Sequence, residues 1–331
     1  MLSIGEGKID MFILKNRMFS LLAVMMLLLV GCSDEKEIEG SVEVAKNSTE
    51  DHAKTKVVKD KLGEVEIPTN PLRIADVSGS TEELLFFGFK PVVSSNTDIE
   101  NPNAFSPVII NQLEPDTVNA GWYASEINIE AVASANPDLI IAGARHEKLV
   151  DQLKKIAPTV MVPHDFNAFQ DRFEFIAGIF DKETEMDAWF TDYEKTAKDW
   201  SEKIRTITKD ETFAIIEATP KEIRIYAATG VADMIFHDML LPKAEGTPEP
   251  DAWGGKVTSV ETLASFDPDH IILMVDSTQS IVDDNNVWDS MKAVKNNHVY
   301  RMTSAKNYNY AFTAMGKREL IDELGELIVK E

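Results

Sequence analysis

A single cysteine, Cys32, occurs in 331 residues. That count leaves no disulfide framework, no Cys-built metal site and no thiol catalysis. Basic residues are scarce as well: 33 Lys and Arg stand against 56 Asp and Glu, a formal charge of −23. A phosphate backbone is held by a basic face, so nucleic acid is excluded as a partner. A small anionic ligand is not excluded, because it senses the local field of a cleft. Long apolar runs are missing after residue 30, so nothing further along crosses a bilayer. Histidines are few and scattered (His52, His146, His164, His237, His270, His298), with neither a His-rich tract nor His-Glu-x-x-His. Gly-x-Ser-x-Gly and a Gly-rich phosphate loop are also lacking. Ser78-Gly-Ser-Thr81 looks superficially like a nucleophile turn but reads better as a helix cap. The chain is therefore expected not to be an enzyme.

What is present begins with an export signal. Lys15 and Arg17 precede an apolar run from Met18 to Val30, and Gly31 and Cys32 close it. Leu29-Val30-Gly31-Cys32 resembles the lipobox of bacterial lipoproteins. The resemblance implies a signal peptide over residues 1–31 and lipidation at Cys32, the first residue of the mature chain. A transmembrane anchor is the alternative, although Met18–Val30 is short of the roughly 20 residues a crossing needs. Two acyl chains suffice for stable anchoring. Residues 32–54 are polar, charged and poor in aromatics, and read as a flexible tether. Localisation follows as the extracytoplasmic face of the cell membrane. A Gram-positive surface is favoured and a periplasmic site stays open. Translation could start at Met1 or Met11.

The remainder predicts an α/β fold. Short apolar strands, such as Arg73-Ile-Ala-Asp-Val77 and Pro91-Val-Val-Ser-Ser95, alternate with helical patterns, which argues for βαβ units and mostly parallel sheets. Ile129-Glu-Ala-Val-Ala-Ser-Ala-Asn-Pro-Asp-Leu-Ile-Ile141 aligns with Val260-Glu-Thr-Leu-Ala-Ser-Phe-Asp-Pro-Asp-His-Ile-Ile272. Each copy reads as helix, Pro-Asp turn and buried strand. Two copies so far apart suggest two similar Rossmann-like lobes rather than a solenoid. Between them Met186, Trp189, Phe190, Tyr193, Ala197, Trp200, Ile204 and Ile207 form one apolar stripe, predicting a single long helix over Glu183–Thr206. The expected domains are an N-terminal lobe at 55–165, an interlobe helical region at 166–210 and a C-terminal lobe at 211–331, with a ligand cleft between the lobes.

Several residues are placed at that cleft by the pattern alone. Arg145 and His146 follow the predicted strand Asp138–Ala142, where open α/β sheets hold their ligands. Arg224 and Tyr226 end a predicted strand of the second lobe, and Trp122 and Tyr123 precede the first repeat helix. Arg172 lies on a predicted helix, Phe169–Ile179, where a surface ion pair is the alternative role.

The ordered set of lipobox, tether, lobe, long helix and lobe resembles the solute-binding lipoproteins of ABC importers, in the subgroup with a helical interlobe backbone. Val65-Glu-Ile-Pro-Thr-Asn-Pro-Leu-Arg-Ile74, Arg145-His-Glu-Lys148, Gln152-Leu-Lys-Lys-Ile-Ala-Pro-Thr-Val160 and Met291-Lys-Ala-Val-Lys-Asn-Asn-His-Val299 carry the resemblance, and the Lys-Lys-Ile-Ala-Pro-Thr-Val160 stretch looks like its ferric-siderophore branch. The resemblance implies a monomeric receptor that delivers a ferric siderophore to a permease dimer driven by ATPase subunits. It implies no cofactor and no protein metal site, because the siderophore holds the iron. It also implies permease docking by Glu130 and Glu261, equivalent positions of the repeat. First-turn helix glutamates favoured by the macrodipole are the alternative reading of this pair. Relatives place cleft residues in the segment holding Tyr308 and Tyr310, and use a basic residue at position 145 for citrate-type ligands. Citrate-type receptors are arginine-rich in the final segment, whereas Lys306-Asn-Tyr-Asn-Tyr310 has one basic residue. A hydroxamate or citrate-hydroxamate ligand is therefore expected, with haem, cobalamin or ferric citrate as alternatives. Haem would need axial donors, for which His237 near Met234 and Met239 is the candidate set.

Overall fold

The computed structural model describes residues 54–163, 165 and 167–330. The signal segment, Cys32 and the tether as far as residue 53 lie outside the described residues, as do His52 and His164. Among the described residues, no helix is long and apolar enough to cross a membrane.

An antiparallel hairpin comes first, β1 (Thr55–Asp60) and β2 (Gly63–Pro68). The Asp60 carboxylate accepts from the amides of Leu62 and Gly63 through one oxygen and from Met161 N at 2.8 Å through the other. The hairpin tip, with Lys61, is thereby pinned to the first sheet.

That sheet contains β3 (Ile74–Val77), β4 (Val93–Ser94), β5 (Val118–Asn119), β6 (Leu139–Ala142) and β7 (Thr159–Met161). Its order is β5-β4-β3-β6-β7, and every pairing is parallel. Helices α1 (Thr81–Phe86), α2 (Ile129–Ser134) and α3 (Val150–Leu153) connect the strands. Helices α4 (Phe169–Phe180) and α5 (Glu183–Thr208) then cross to the second sheet. The second sheet contains β8 (Phe213–Ala218), β9 (Ile223–Tyr226), β10 (Gly255–Thr258), β11 (His270–Met274) and β12 (Val299–Met302), in the order β10-β9-β8-β11-β12. Its helices are α6 (Gly230–Asp233), α7 (Val260–Phe266), α8 (Asn286–Ser290), α9 (Lys292–Lys295), α10 (Ser304–Tyr310) and α11 (Ala314–Val329). Strands β8, β11 and β12 are parallel, while β9 and β10 run antiparallel, so this sheet is mixed.

The central strands β3, β6 and β11 are buried on both faces, as parallel strands covered by helices are. Alternate residues divide between cores. Ile74, Leu139, Ile141 and Val160 of the first sheet share one core with Phe213, Ile215, Ile272 and Met274 of the second, through α4, α5 and α11. The opposite faces pack separately, Ala75, Val77 and Ile140 in one cluster and Ala214, Ile216 and Ile271 in another. Helix α5 has 26 residues, about 39 Å at the helical rise. Met186, Trp189, Tyr193, Ala197 and Ile204 are buried as the stripe predicts, but Ile207 is 56% exposed, because Thr208 and not Ile207 carries the buried face through the last turn.

The repeat is real at the level of side-chain roles. Asn128 and Ser259 cap α2 and α7, accepting from Ala131 N and Thr262 N. Asn136 and Asp267, each before a proline, hold left-handed backbone at φ 48° and 35°. Asp138 accepts from the amides of Leu72 and Arg73 ahead of β3, and Asp269 from the amide of Thr212 ahead of β8.

Candidate functional site

A cavity of about 380 Å³ lies between the two sheets. Ser78 follows β3 and Arg145 follows β6, so its first wall is the carboxyl edge of neighbouring parallel strands, where such sheets bind ligands. Lys61 from the hairpin tip, Asp165 and Asn167 extend that wall. The facing wall is the β9–β10 loop, with Ala252 and Trp253.

Two glycines shape the cavity. Gly79, at φ 92°, lies where a Cβ would meet the Tyr123 ring at 3.0 Å, so the ring packs directly on the turn after β3. Gly254, at φ 81°, lies where a Cβ would collide with Thr229 Oγ1 at 2.1 Å and Ala228 O at 2.3 Å. A side chain there would push the Trp253 loop off the end of β9.

The Arg145 guanidinium lies 5.1 Å from the centre of the Trp253 ring. Among the described residues it forms no ion pair, so its charge remains available to a ligand. Trp253 is 53% exposed. Asn167 Nδ2 donates to Ala252 O at 3.4 Å, a second link between the walls.

Beside this cavity is a space of about 20 Å³ lined by Glu82, Asn96, Trp122, Tyr123, Tyr308 and Thr313, among others. Tyr123 belongs to both. Tyr308 and Tyr226 each donate to Glu217 Oε2 at 2.9 Å, and their hydroxyls are 2.8 Å apart. Burial, reinforced by Glu217, pushes the Tyr308 phenol up to about 12, and burial with the same neighbours raises that of Tyr226 further. Both hydroxyls therefore keep their protons at neutral pH.

The other predicted residues separate. Arg224 is paired with Asp251 at 2.8 Å, in the loop that carries Trp253. His146 is 2% exposed and turned inward, with Nε2 3.3 Å from Ser125 O, and burial lowers its pKa. Tyr310 does not line either cavity: α10 is a helix, so residues two apart point to different sides. The Lys306 ammonium covers its ring at 3.6 Å and pairs with Glu323 of α11. Arg172 is 1% exposed and donates to Glu83 Oε1 at 3.0 Å and Phe312 O at 2.6 Å. Neither a cavity contact nor the surface ion pair describes it; its guanidinium ties α1 to the segment before α11. Glu82 completes this junction by accepting from Gly316 N at 2.8 Å. Burial, and then the neighbouring Glu83, push the Glu82 carboxyl up to about 8. Glu130 and Glu261 are exposed in the first turns of α2 and α7. A hydrogen bond from Ser259 lowers the pKa of Glu261. His237 pairs with Asp233 at 2.6 Å and lines neither cavity, and Met234 and Met239 are core residues.

Trp253, Lys61, Asn167 and Glu217 were not legible as site residues. A large aromatic stranded in the turn-rich Pro248-Glu-Pro-Asp-Ala-Trp-Gly-Gly255 is a signal that could have found Trp253. The remaining three become neighbours only through the packing of distant strands.

Residues 97–305 match the family model described as "Periplasmic binding protein". The putative ABC transporter substrate-binding lipoprotein YhfQ of Bacillus subtilis is 29% identical over 290 residues, covering 81% of this chain and 86% of that protein. The Fe(3+)-citrate-binding protein YfmC of the same organism is 26% identical over 298 residues, with coverages of 86% and 89%. The crystal structure of Staphylococcus aureus SirA complexed with staphyloferrin B superposes with a TM-score of 0.67 at 26% identity, covering 82% of this chain and 98% of SirA. Two α/β sheets bridged by a long helix, with a cavity at the carboxyl edge of parallel strands, are thus joined to a sequence match, and the chain belongs to the periplasmic binding protein family.

Proposed function

We propose that this chain is the lipid-anchored solute-binding component of an ABC importer, capturing a ferric siderophore in the cavity between its sheets. The observation that carries this reading is Arg145 facing Trp253 across the cavity. A siderophore presents anionic oxygens around iron on a partly flat organic frame. A guanidinium with no ion pair among the described residues and an indole face suit those two surfaces. Asp165 is the one carboxylate among the described lining residues, against Arg145 and a Lys61 paired with Glu147 at 2.7 Å, which suits iron that arrives already coordinated.

A hydroxamate or citrate-hydroxamate ligand is favoured over a more highly charged complex. The segment before α11 adds little positive charge: Lys306 is engaged by Glu323, and Asn307 and Asn309 accept from the amides of Val231 and Ile99. Glu217 adds negative charge behind Tyr308. The exposed Glu130 and Glu261, at equivalent places on the two repeats, would dock to a two-fold permease. Cys32 would carry the lipid. The protein would act as a non-enzymatic monomer on the extracytoplasmic face of the membrane.

Tryptophan fluorescence of the full chain in detergent tests the reading, with ferric hydroxamates, citrate-hydroxamates, catecholates, ferric citrate, haem and cobalamin as probes. Saturable submicromolar quenching by a ferric hydroxamate or mixed ligand is expected. Tight binding of haem or cobalamin alone, or silence across the panel in calorimetry as well, would overturn it.

A further inference from the structure

Three side chains outside the cleft converge at the far end of the second sheet. Glu211 lies just before β8, His270 opens β11, and His298 immediately precedes β12. Because these strands are parallel, all three residues sit at the amino ends of β8, β11 and β12, and none of them lines either cavity. One carboxylate oxygen of Glu211 and one ring nitrogen of each histidine all lie within 4.8 Å of one another. His270 Nε2 is 2.9 Å from Glu211 Oε2.

Hydrogen bonds to the outer ring nitrogens orient both imidazoles. His298 Nδ1 is 3.2 Å from the carbonyl oxygen of Asp269. A carbonyl only accepts, so Nδ1 carries the proton and Nε2 the lone pair. His270 Nδ1 is 3.0 Å from Tyr300 Oη, a hydroxyl able to accept its proton. Metal-bound histidines use this arrangement, with one nitrogen on the ion and the other N–H donated outward. The His270 ring is held between Phe213 at 4.6 Å and His298 at 4.4 Å. His298 is only partly buried, and its ring stacks on that of His270 at an interplanar angle of 14°, so it must turn for both imidazoles to face one ion. Lys292, the nearby cation, is engaged by Asp269 rather than by Glu211.

The internal repeat makes the histidine conspicuous. Leu139 opens β6 at the position equivalent to His270 and is fully buried. An apolar residue therefore serves the fold at this point, and a histidine 2% exposed needs polar partners to be tolerated.

We propose that Glu211, His270 and His298 form a binding site for a divalent transition metal ion such as Zn²⁺, separate from the siderophore cleft. Two imidazoles and a carboxylate suit such ions, with bonds of about 2.0–2.2 Å and water completing the coordination. The ion would clamp the starts of three neighbouring strands.

The untagged full-length chain in detergent, stripped with chelator, is titrated with Zn²⁺ by calorimetry. H298Q and E211Q are titrated in parallel, and far-UV circular dichroism checks their folding. One saturable site per chain is expected, weakened about tenfold or more in a folded variant. Co²⁺ should give visible bands of tetrahedral intensity in the parent chain and not in H298Q. Heats without a saturable site, or Zn²⁺ affinity unchanged in both variants, would overturn the proposal, the latter by assigning the binding to the acidic surface.

Discussion

The Arg145 guanidinium and the Trp253 ring meet at 5.1 Å across the cavity, one supplied by the segment after β6 and the other by the β9–β10 loop. An exposed cation–π contact of this kind is worth about 0.5–1 kcal/mol. Its larger consequence is that a charge and an aromatic face are presented together to whatever enters. W253F should therefore abolish most ligand-induced fluorescence quenching while weakening binding only a few-fold. R145A should weaken binding of an anionic ferric complex by at least about tenfold, because a charged hydrogen bond is lost as well. Titrations of the two variants with the same siderophore check this; equal small losses would remove Arg145 from the site.

The Trp253 loop itself depends on Gly254. G254A should lower the thermal midpoint as well as the ligand affinity, because at φ 81° the added methyl is strained and collides with Thr229 and the Ala228 carbonyl at the end of β9. Circular dichroism melting alongside calorimetry separates the two effects. A large drop in midpoint with unchanged affinity would mean that the hairpin matters to folding and not to the cleft.

Arg172 joins the two halves beneath the cleft through Glu83 and Phe312 O. R172M should cost about 3–5 kcal/mol in urea unfolding, since it leaves Glu83 buried without its counter-charge. R172M/E83Q should recover part of the loss, because no buried charge then remains at that pair. A double variant no better than R172M would show that the Phe312 contact dominates.

Glu82 makes stability depend on pH with a defined sign. Its carboxyl titrates near 8 in the folded chain, against an ordinary value of 4.5. Between those values the folded state holds more protons than the unfolded state, so stability falls as pH rises. Burial also raises Asp76 and Glu83, in the same direction. The unfolding free energy should decline above about pH 4.5 and level off past about pH 8. E82Q should flatten that decline, because an amide oxygen still accepts from Gly316 N without ionising. An unchanged slope in E82Q would place the titration elsewhere.

The exposed pair Glu130 and Glu261 tests docking separately from capture. E130A/E261A should abolish siderophore uptake by cells while leaving solution affinity intact, since neither residue lines a cavity. Loss of affinity together with uptake would contradict the docking role.

Periodicity and repetition were enough to read two α/β halves, the helix α5 and the equivalence of α2–β6 with α7–β11, because those features arise from local backbone preference and a two- or three-to-four-residue apolar rhythm. Arg145 and Tyr123 were also read from positions after a strand and before a helix, and Tyr308 from the family resemblance; all three line the cavities. The sequence could not show that Arg172 would be buried in an ion pair, that Tyr310 would turn away from Tyr308, or that Trp253 would face Arg145. Each of those outcomes depends on which elements pack together: α1 against α4, α10 against α11, and the β9–β10 loop against the segment after β6. Side-chain chemistry and rhythm are local and survive in the linear chain, whereas the partners of a charge or a ring are chosen by long-range packing, which only the tertiary structure decides.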